Sequence, residues 1–324
     1  MQADWGGSIV FLQVLFRVLP SSDLWQATLQ FAALLLLPAL GGVISERSGV
    51  VNIAMEGMML TGAYAGVMSG LATHSLLGGV FGAMIAGGLM ALIHAIVSIN
   101  FKANQIVSGI AINIAALGLT NYLLFIQTAG QGVPTLPNAL RLPIISWGPL
   151  VNIPFLGPVL FQQNIIFYVA LLILLGMQFL LFRTNIGLRI RAVGEHPQAA
   201  DTAGINVRLV RYLCVISSGL LSGLAGAFLA LGIAGIFNSN MTAGAGFIAL
   251  AAVIFGKYNP LGAGAACIIF GLGEALSTRL QDTGFSPNLL STLPYLLTLV
   301  ALVGLVGRTT PPAADGIPYE PGSE

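Results

Sequence analysis

The sequence predicts an all-α polytopic membrane protein with about nine transmembrane helices (eight to ten), and three observations carry that expectation. First, the chain of 324 residues is 56% hydrophobic and only 7% charged, whereas soluble domains run near about a quarter charged and need that inventory for a water-facing surface. Second, long stretches hold no Asp, Glu, Lys or Arg: Leu142 to Phe182 is one and Tyr212 to Gly256 another. Third, the stretch between them, Arg183 to Arg211, concentrates five of the twelve basic residues, opposed only by Glu195 and Asp201. A charged island between two uncharged runs has to lie in water.

A helix needs about 20 mostly apolar residues to cross a bilayer. On that measure the spans run Leu24 to Ile44 (with Pro38 inside), Val50 to Leu71, Leu77 to Ile99 and Ala103 to Ile126. A connection from Gln127 to Gln163 follows, and its six prolines point to an ordered loop outside the bilayer. A fifth span covers Asn164 to Phe182. After the island come Tyr212 to Ile236, Met241 to Phe255, Leu261 to Leu276 and Leu289 to Val306. Residues 1–23 form an N-terminal segment, with Ser8 to Leu19 expected as a short interfacial helix, since it is apolar but short and carries Arg17. The transmembrane domain spans 24–307 with its loop at 183–211, and the Pro- and Gly-rich residues 308–324 read as a disordered cytoplasmic tail.

Orientation follows from the placement of Lys and Arg. With the island in the cytoplasm and nine alternating spans, nine of the twelve positive residues fall inside and only Arg17, Arg141 and Arg279 outside. The proline-rich loop is then extracytoplasmic. Residues Leu76 to Leu92 can also be laid over Pro260 to Leu276, pairing Gly78 with Gly262 and Gly87 with Gly271 in helices of opposite direction. A possible inverted repeat of this kind is a device of transporters.

Polar residues inside spans are the candidates for a substrate path: Asn52, Glu56 and Gly57 in the second, and Asn104, Ser108 and Asn113 in the fourth. An ionisable group within a span faces a cavity or a partner. Glu56 lies six residues past Val50, so two structural roles stand beside substrate contact: pairing with Arg47, or capping a broken helix. Each amide or hydroxyl likewise suits either an uncharged, hydroxylated solute or an interhelical hydrogen bond. Asn238, Ser239 and Asn240 mark a broken or re-entrant entry to the seventh span.

Other function classes fit poorly. A net charge of +1 suggests no nucleic-acid partner, and Cys214 and Cys267 sit in apolar runs that support no disulfide framework. His74, His94 and His196 are dispersed without metal-ligand spacing, so neither an enzyme nor a metal or other cofactor is expected. There is no P-loop, so an ATP-driven process requires a second polypeptide.

Two motifs carry a resemblance. The island contains GLRIRAVGEHPQAADTAGINV, Gly187 to Val207, and the second span opens with GGVISERSGVVNIAMEGMMLTGAYAG, Gly41 to Gly66. Together they resemble the membrane permeases of ATP-binding-cassette (ABC) importers for branched-chain amino acids, ribose-type sugars and nucleosides, and the second motif is similar to the nucleoside-type branch. The resemblance covers Leu24 to Arg308. It implies that Gly194, Glu195, Ala199, Ala200, Gly204 and Ile205 form a cytoplasmic coupling loop whose short helix docks on an ATPase subunit. It also implies a second permease subunit (a paralogue or a second copy), an extracytoplasmic substrate-binding protein that docks on the outer loops, a small-molecule substrate and a place in the bacterial cytoplasmic membrane. On this reading Gly194→Arg or Glu195→Arg abolishes uptake while the chain still inserts. A secondary transporter driven by an ion gradient is the competing class, and the scarcity of mid-membrane carboxylates speaks against it.

Overall fold

In the computed structural model the described residues are 19–128, 135–281, 309–320 and the single positions 292 and 296. Nearly all of the expected span Leu289–Val306 and of the segment Ser8–Leu19 lies outside the described residues. Among the described residues the secondary structure is almost wholly helical. Six helices are long and apolar enough to cross a membrane.

Helix α1, Ser22–Arg47, starts where the Ser21 hydroxyl accepts from the Leu24 N–H (3.4 Å), with Asp23 in its first turn. Apolar on all sides, it is the buried centre of the bundle, as an all-round hydrophobic helix must be. Helix α2, Met55–Thr73, ends at His74 in the left-handed conformation, and Ser75 caps α3, Leu76–Ala95, which continues as a π-helical turn to Asn100. Helix α4 is Gln105–Thr128. The extracytoplasmic connection carries a two-stranded antiparallel ribbon, β1 Ile144–Ser146 against β2 Gln162–Asn164, with the short α5, Leu156–Phe161, between the strands. Helix α6, Ile165–Arg183, leads to the island, formed by α7, Asn185–Glu195, and α8, Pro197–Thr202. Helix α9, Val207–Ala227, is prolonged by a π-helical stretch to Ala234; α10, Ala245–Phe255, and α11, Pro260–Leu280, complete the described bundle.

Three expectations are corrected. The second span begins as a helix at Met55 rather than Val50, because Val50–Ala54 is non-helical. The seventh is helical over only the 11 residues of α10, about 16 Å at 1.5 Å per residue and half the thickness of the hydrocarbon core. The approach to α10 cannot be helical, since Gly235, Asn240, Ala243 and Gly244 all have positive φ. The third concerns the tail: residues 309–320 follow a defined path across the cytoplasmic face, with Ala314 and Tyr319 buried. Composition pointed to disorder there because the residues that hold the tail are far away in sequence.

The two segments matched in the sequence, α3 and α11, run in opposite directions and begin alike. Each follows a shorter helix across a tight turn with a left-handed residue, His74 in one and Tyr258 in the other, and each starts at a polar cap, Ser75 or Asn259.

Candidate functional site

The two interrupted segments meet at Glu56. Its Oε1 accepts from the Thr242 hydroxyl (2.5 Å) and the Gly244 N–H (2.9 Å), and its Oε2 accepts from the Gly246 N–H (2.7 Å). The carboxylate therefore closes the start of α10, whose first N–H groups have no partner in their own helix. A negative charge at that end is also favoured by the helix dipole. Gly246 fits because its backbone lies against Glu56, where an added Cβ would come 2.4 Å from the Glu56 nitrogen. Of the alternatives open in the sequence, capping of a broken helix is the one observed. Arg47 is engaged elsewhere, donating from Nε to the Tyr258 carbonyl (2.7 Å) and lying over the Phe182 ring.

The non-helical residues 50–54 carry backbone groups that no water at membrane depth would satisfy, so side chains must. Helix α4 supplies most of them. Gln105 Oε1 accepts from the Val51 N–H (2.7 Å), Asn113 Nδ2 donates to the Ile53 carbonyl (3.0 Å), and Asn113 Oδ1 accepts from the Gly57 N–H (2.8 Å). His94 bridges α3 to the same stretch, with Nε2 3.0 Å from the Val51 carbonyl and Nδ1 3.0 Å from Ser108 Oγ. A carbonyl only accepts, so Nε2 carries the proton and Ser108 donates to Nδ1. Asn52 accepts from the Ala54 N–H (3.1 Å) and donates to Ser218 Oγ on α9 (2.8 Å). Of the six candidate path residues, Asn52, Glu56, Gly57, Ser108 and Asn113 thus come together around the two breaks. Asn104 does not; it is exposed and caps α4 through Oδ1, which accepts from the N–H groups of Ile106 and Val107. The sequence reading left out Thr242 and Ser218, and gave His94 no role. A polar residue spaced within helical reach of a break was the one signal available for them.

The island is built as two short helices at an angle, braced from behind. Pro197 occupies the first turn of α8, where no N–H is needed. At its end the Gly204 N–H bonds the Asp201 carbonyl (2.8 Å) and the Ile205 N–H bonds the Ala200 carbonyl (3.0 Å), the paired pattern of a Schellman cap. That cap needs a left-handed residue, and Gly204 has φ of 82°. Glu195, Ala199 and Gly204 are exposed, Ile205 is half-buried, and Gly194 and Ala200 are buried. Gly194 faces inward: a Cβ there would lie 2.2 Å from the Arg47 carbonyl oxygen.

Residues 309–320 strap this assembly together. The Ala314 N–H bonds the Gly194 carbonyl (2.9 Å), the Ala313 N–H bonds Glu195 Oε2 (3.1 Å), and Lys102 pairs with Glu320 (2.6 Å). Buried Arg211 donates from Nη1 to the Ile317 carbonyl (3.0 Å) and from Nε to the Ser48 carbonyl (3.2 Å), tying the strap to the turn between α1 and α2. Gly49, with φ of 87°, leaves room for that guanidinium; a Cβ would come 2.7 Å from Nη2. Tyr319 packs on Val193, Ala200 and Val207, so it underlies α8. Beside Arg211, burial pushes the Asp315 carboxyl up to about 7.

A bundle of membrane-crossing helices arranged around two oppositely directed interrupted segments, with a helix-bearing loop braced on its charged face, defines a multi-pass transport permease. The chain belongs to the family described as branched-chain amino acid transport system / permease component, which matches residues 25–302. Among its relatives, the guanosine ABC transporter permease protein NupQ of Bacillus subtilis is 43% identical over 95% of this chain and 98% of its own length. The nucleoside ABC transporter permease protein NupC of Lactococcus lactis is 38% identical over 88% of this chain and 92% of its own. A Haloferax volcanii protein provisionally described as a glucose ABC transporter permease, TsgC13, is 37% identical over 89% and 93%.

Proposed function

We infer that this chain is the permease subunit of an ABC importer and forms a translocation path for nucleosides, purine nucleosides foremost, across the bacterial cytoplasmic membrane. One observation carries the reading: the similarity to a guanosine permease and a nucleoside permease extends over nearly the whole of all three chains. The similarity to TsgC13 favours a second reading, a sugar substrate, and ribose-type sugars are its natural form because a nucleoside already contains ribose.

In this reading α8 docks on a cytoplasmic ATPase through its exposed side, Glu195, Ala199, Gly204 and Ile205, while Gly194 and Ala200 hold it from behind. Closure of the ATPase pushes α8, and the strap and Arg211 pass the displacement to the α1–α2 turn next to the break. The junction at Glu56 is the moving part of the path, and Asn52, Gly57, Ser108 and Asn113 support it rather than face the solute. A second permease subunit, paralogue or second copy, and an extracytoplasmic binding protein complete the importer.

Uptake of labelled guanosine, adenosine, ribose and leucine, measured with and without this chain, tests the substrate. Competition by ribose alone would replace the nucleoside reading with the sugar one. Uptake that persists without any ATPase and follows the proton gradient would overturn the importer.

A further inference from the structure

The extracytoplasmic connection, with its prolines, was expected to stand in water, yet its surface does not suit water. From Leu142 to Phe182 the chain has no charged residue. Within it Trp147, Leu150, Ile153, Phe155, Leu156 and Leu160 each expose 39–52% of their surface. Scattered exposed apolar residues need no explanation, but six within 14 positions form a patch. The patch is continuous with the flank of α6. Trp147 stacks edge-on against Tyr168 at 5.8 Å, the Tyr168 hydroxyl donates to the Leu160 carbonyl (3.0 Å), and the same helix exposes Leu172, Leu175 and Phe179 further down. Below α5 an apolar groove of about 380 Å³ runs between α1, α6 and α11, lined by Leu160, Phe167, Leu171, Leu36, Ala265 and Ile268 among others.

We propose that residues 147–161 lie in the outer leaflet as an interfacial segment, with the groove beneath them taking the acyl chain of a phospholipid. Trp and Tyr at one level, with backbone and hydroxyl groups above and aliphatic side chains below, form the arrangement that the headgroup boundary favours. A segment that lies on the membrane with its apolar face immersed needs no transmembrane length. The patch continues a lipid-facing helix, lacks any charge for steering a protein partner, and opens onto a groove without charged side chains; all three features fit lipid. Docking of a binding protein then falls to the parts of the outer face beyond this segment.

The chain has three tryptophans, so Trp5→Phe with Trp25→Phe leaves Trp147 as the sole indole. In vesicles of phosphatidylcholine brominated at the 6,7 positions, Trp147 is expected to lose most of the emission it shows in unbrominated vesicles and to resist quenching by aqueous iodide. Emission indifferent to bromine but quenched by iodide would overturn the proposal and return the loop to water, as a surface for a protein partner. The groove is tested separately by Ala265→Trp in a chain whose native tryptophans are all replaced by Phe. Bromine at the 11,12 positions should quench that indole, and unchanged emission would exclude an acyl chain there.

Discussion

Glu56 shows how one side chain holds a membrane protein's interior together. Its carboxylate serves three donors from residues nearly two hundred positions away, so replacing it leaves those groups buried without a partner. Each orphaned donor costs about 1–3 kcal/mol. Glu56→Ala should therefore lower the thermal midpoint of the purified protein well below that of Asn104→Ala, whose site is wet, and should reduce uptake. An unchanged midpoint would exclude the cap as a structural element. Asp315 offers a second test at this scale. Its carboxyl titrates near 7 in the docked strap against 3.8 in an open chain, because burial disfavours the charge more than the nearby Arg211 favours it. Glu46 and Tyr258 also face it. The docked strap thus holds a proton that a released strap gives up. Docking is strongest below pH 4, weakens as pH rises through the window from 3.8 to about 7, and levels off above it. Hydrogen exchange of residues 309–320 should quicken between pH 5 and 7 beyond its intrinsic rate, and Asp315→Asn should remove the excess.

At the scale of elements, the island and strap act as one unit, which changes what its substitutions mean. Gly194→Arg was expected to strike the ATPase contact alone. With the Arg47 carbonyl 2.2 Å from the position of its Cβ, that variant displaces α7 and should lower the amount of inserted protein as well as its transport. Glu195→Arg keeps the fold, since Glu195 is exposed and its one hydrogen bond among the described residues comes from the Ala313 N–H. It should retain normal membrane levels and lose uptake and ATPase co-purification. Gly204→Val forces a β-branched residue into the left-handed region, at a cost of about 1–2 kcal/mol. Because the Schellman cap is local, uptake should fall with little change in global stability. Normal uptake in both Glu195→Arg and Gly204→Val would remove α8 from the coupling role.

For the whole molecule, the interrupted entries to α2 and α10 meet at one carboxylate. A small shift of the α1–α2 turn can then move one entry against the other without breaking a continuous helix. The strap joins that turn to the island. Removal of residues 309–324 should leave the chain inserted but reduce uptake severalfold, with the ATPase still bound; wild-type uptake after truncation would make the strap a passive cover.

Composition and charge placement alone determined the class of this protein, the course of most spans and the short helix that starts at Pro197. All of these are local or summed properties: apolar length, Lys and Arg placement, and the Pro and Gly signals of helix ends. The same local signals misjudged the tail, whose Pro and Gly content looks disordered until Arg211 and Gly194 are placed beside it. They also left Glu56 with several roles, since the N–H groups that define its role belong to Gly244 and Gly246. Only the tertiary structure decided that the breaks at 50–54 and 235–244 adjoin. A backbone break inside a membrane must borrow its hydrogen bonds from whatever lies next to it, and no periodicity in the sequence says what that is.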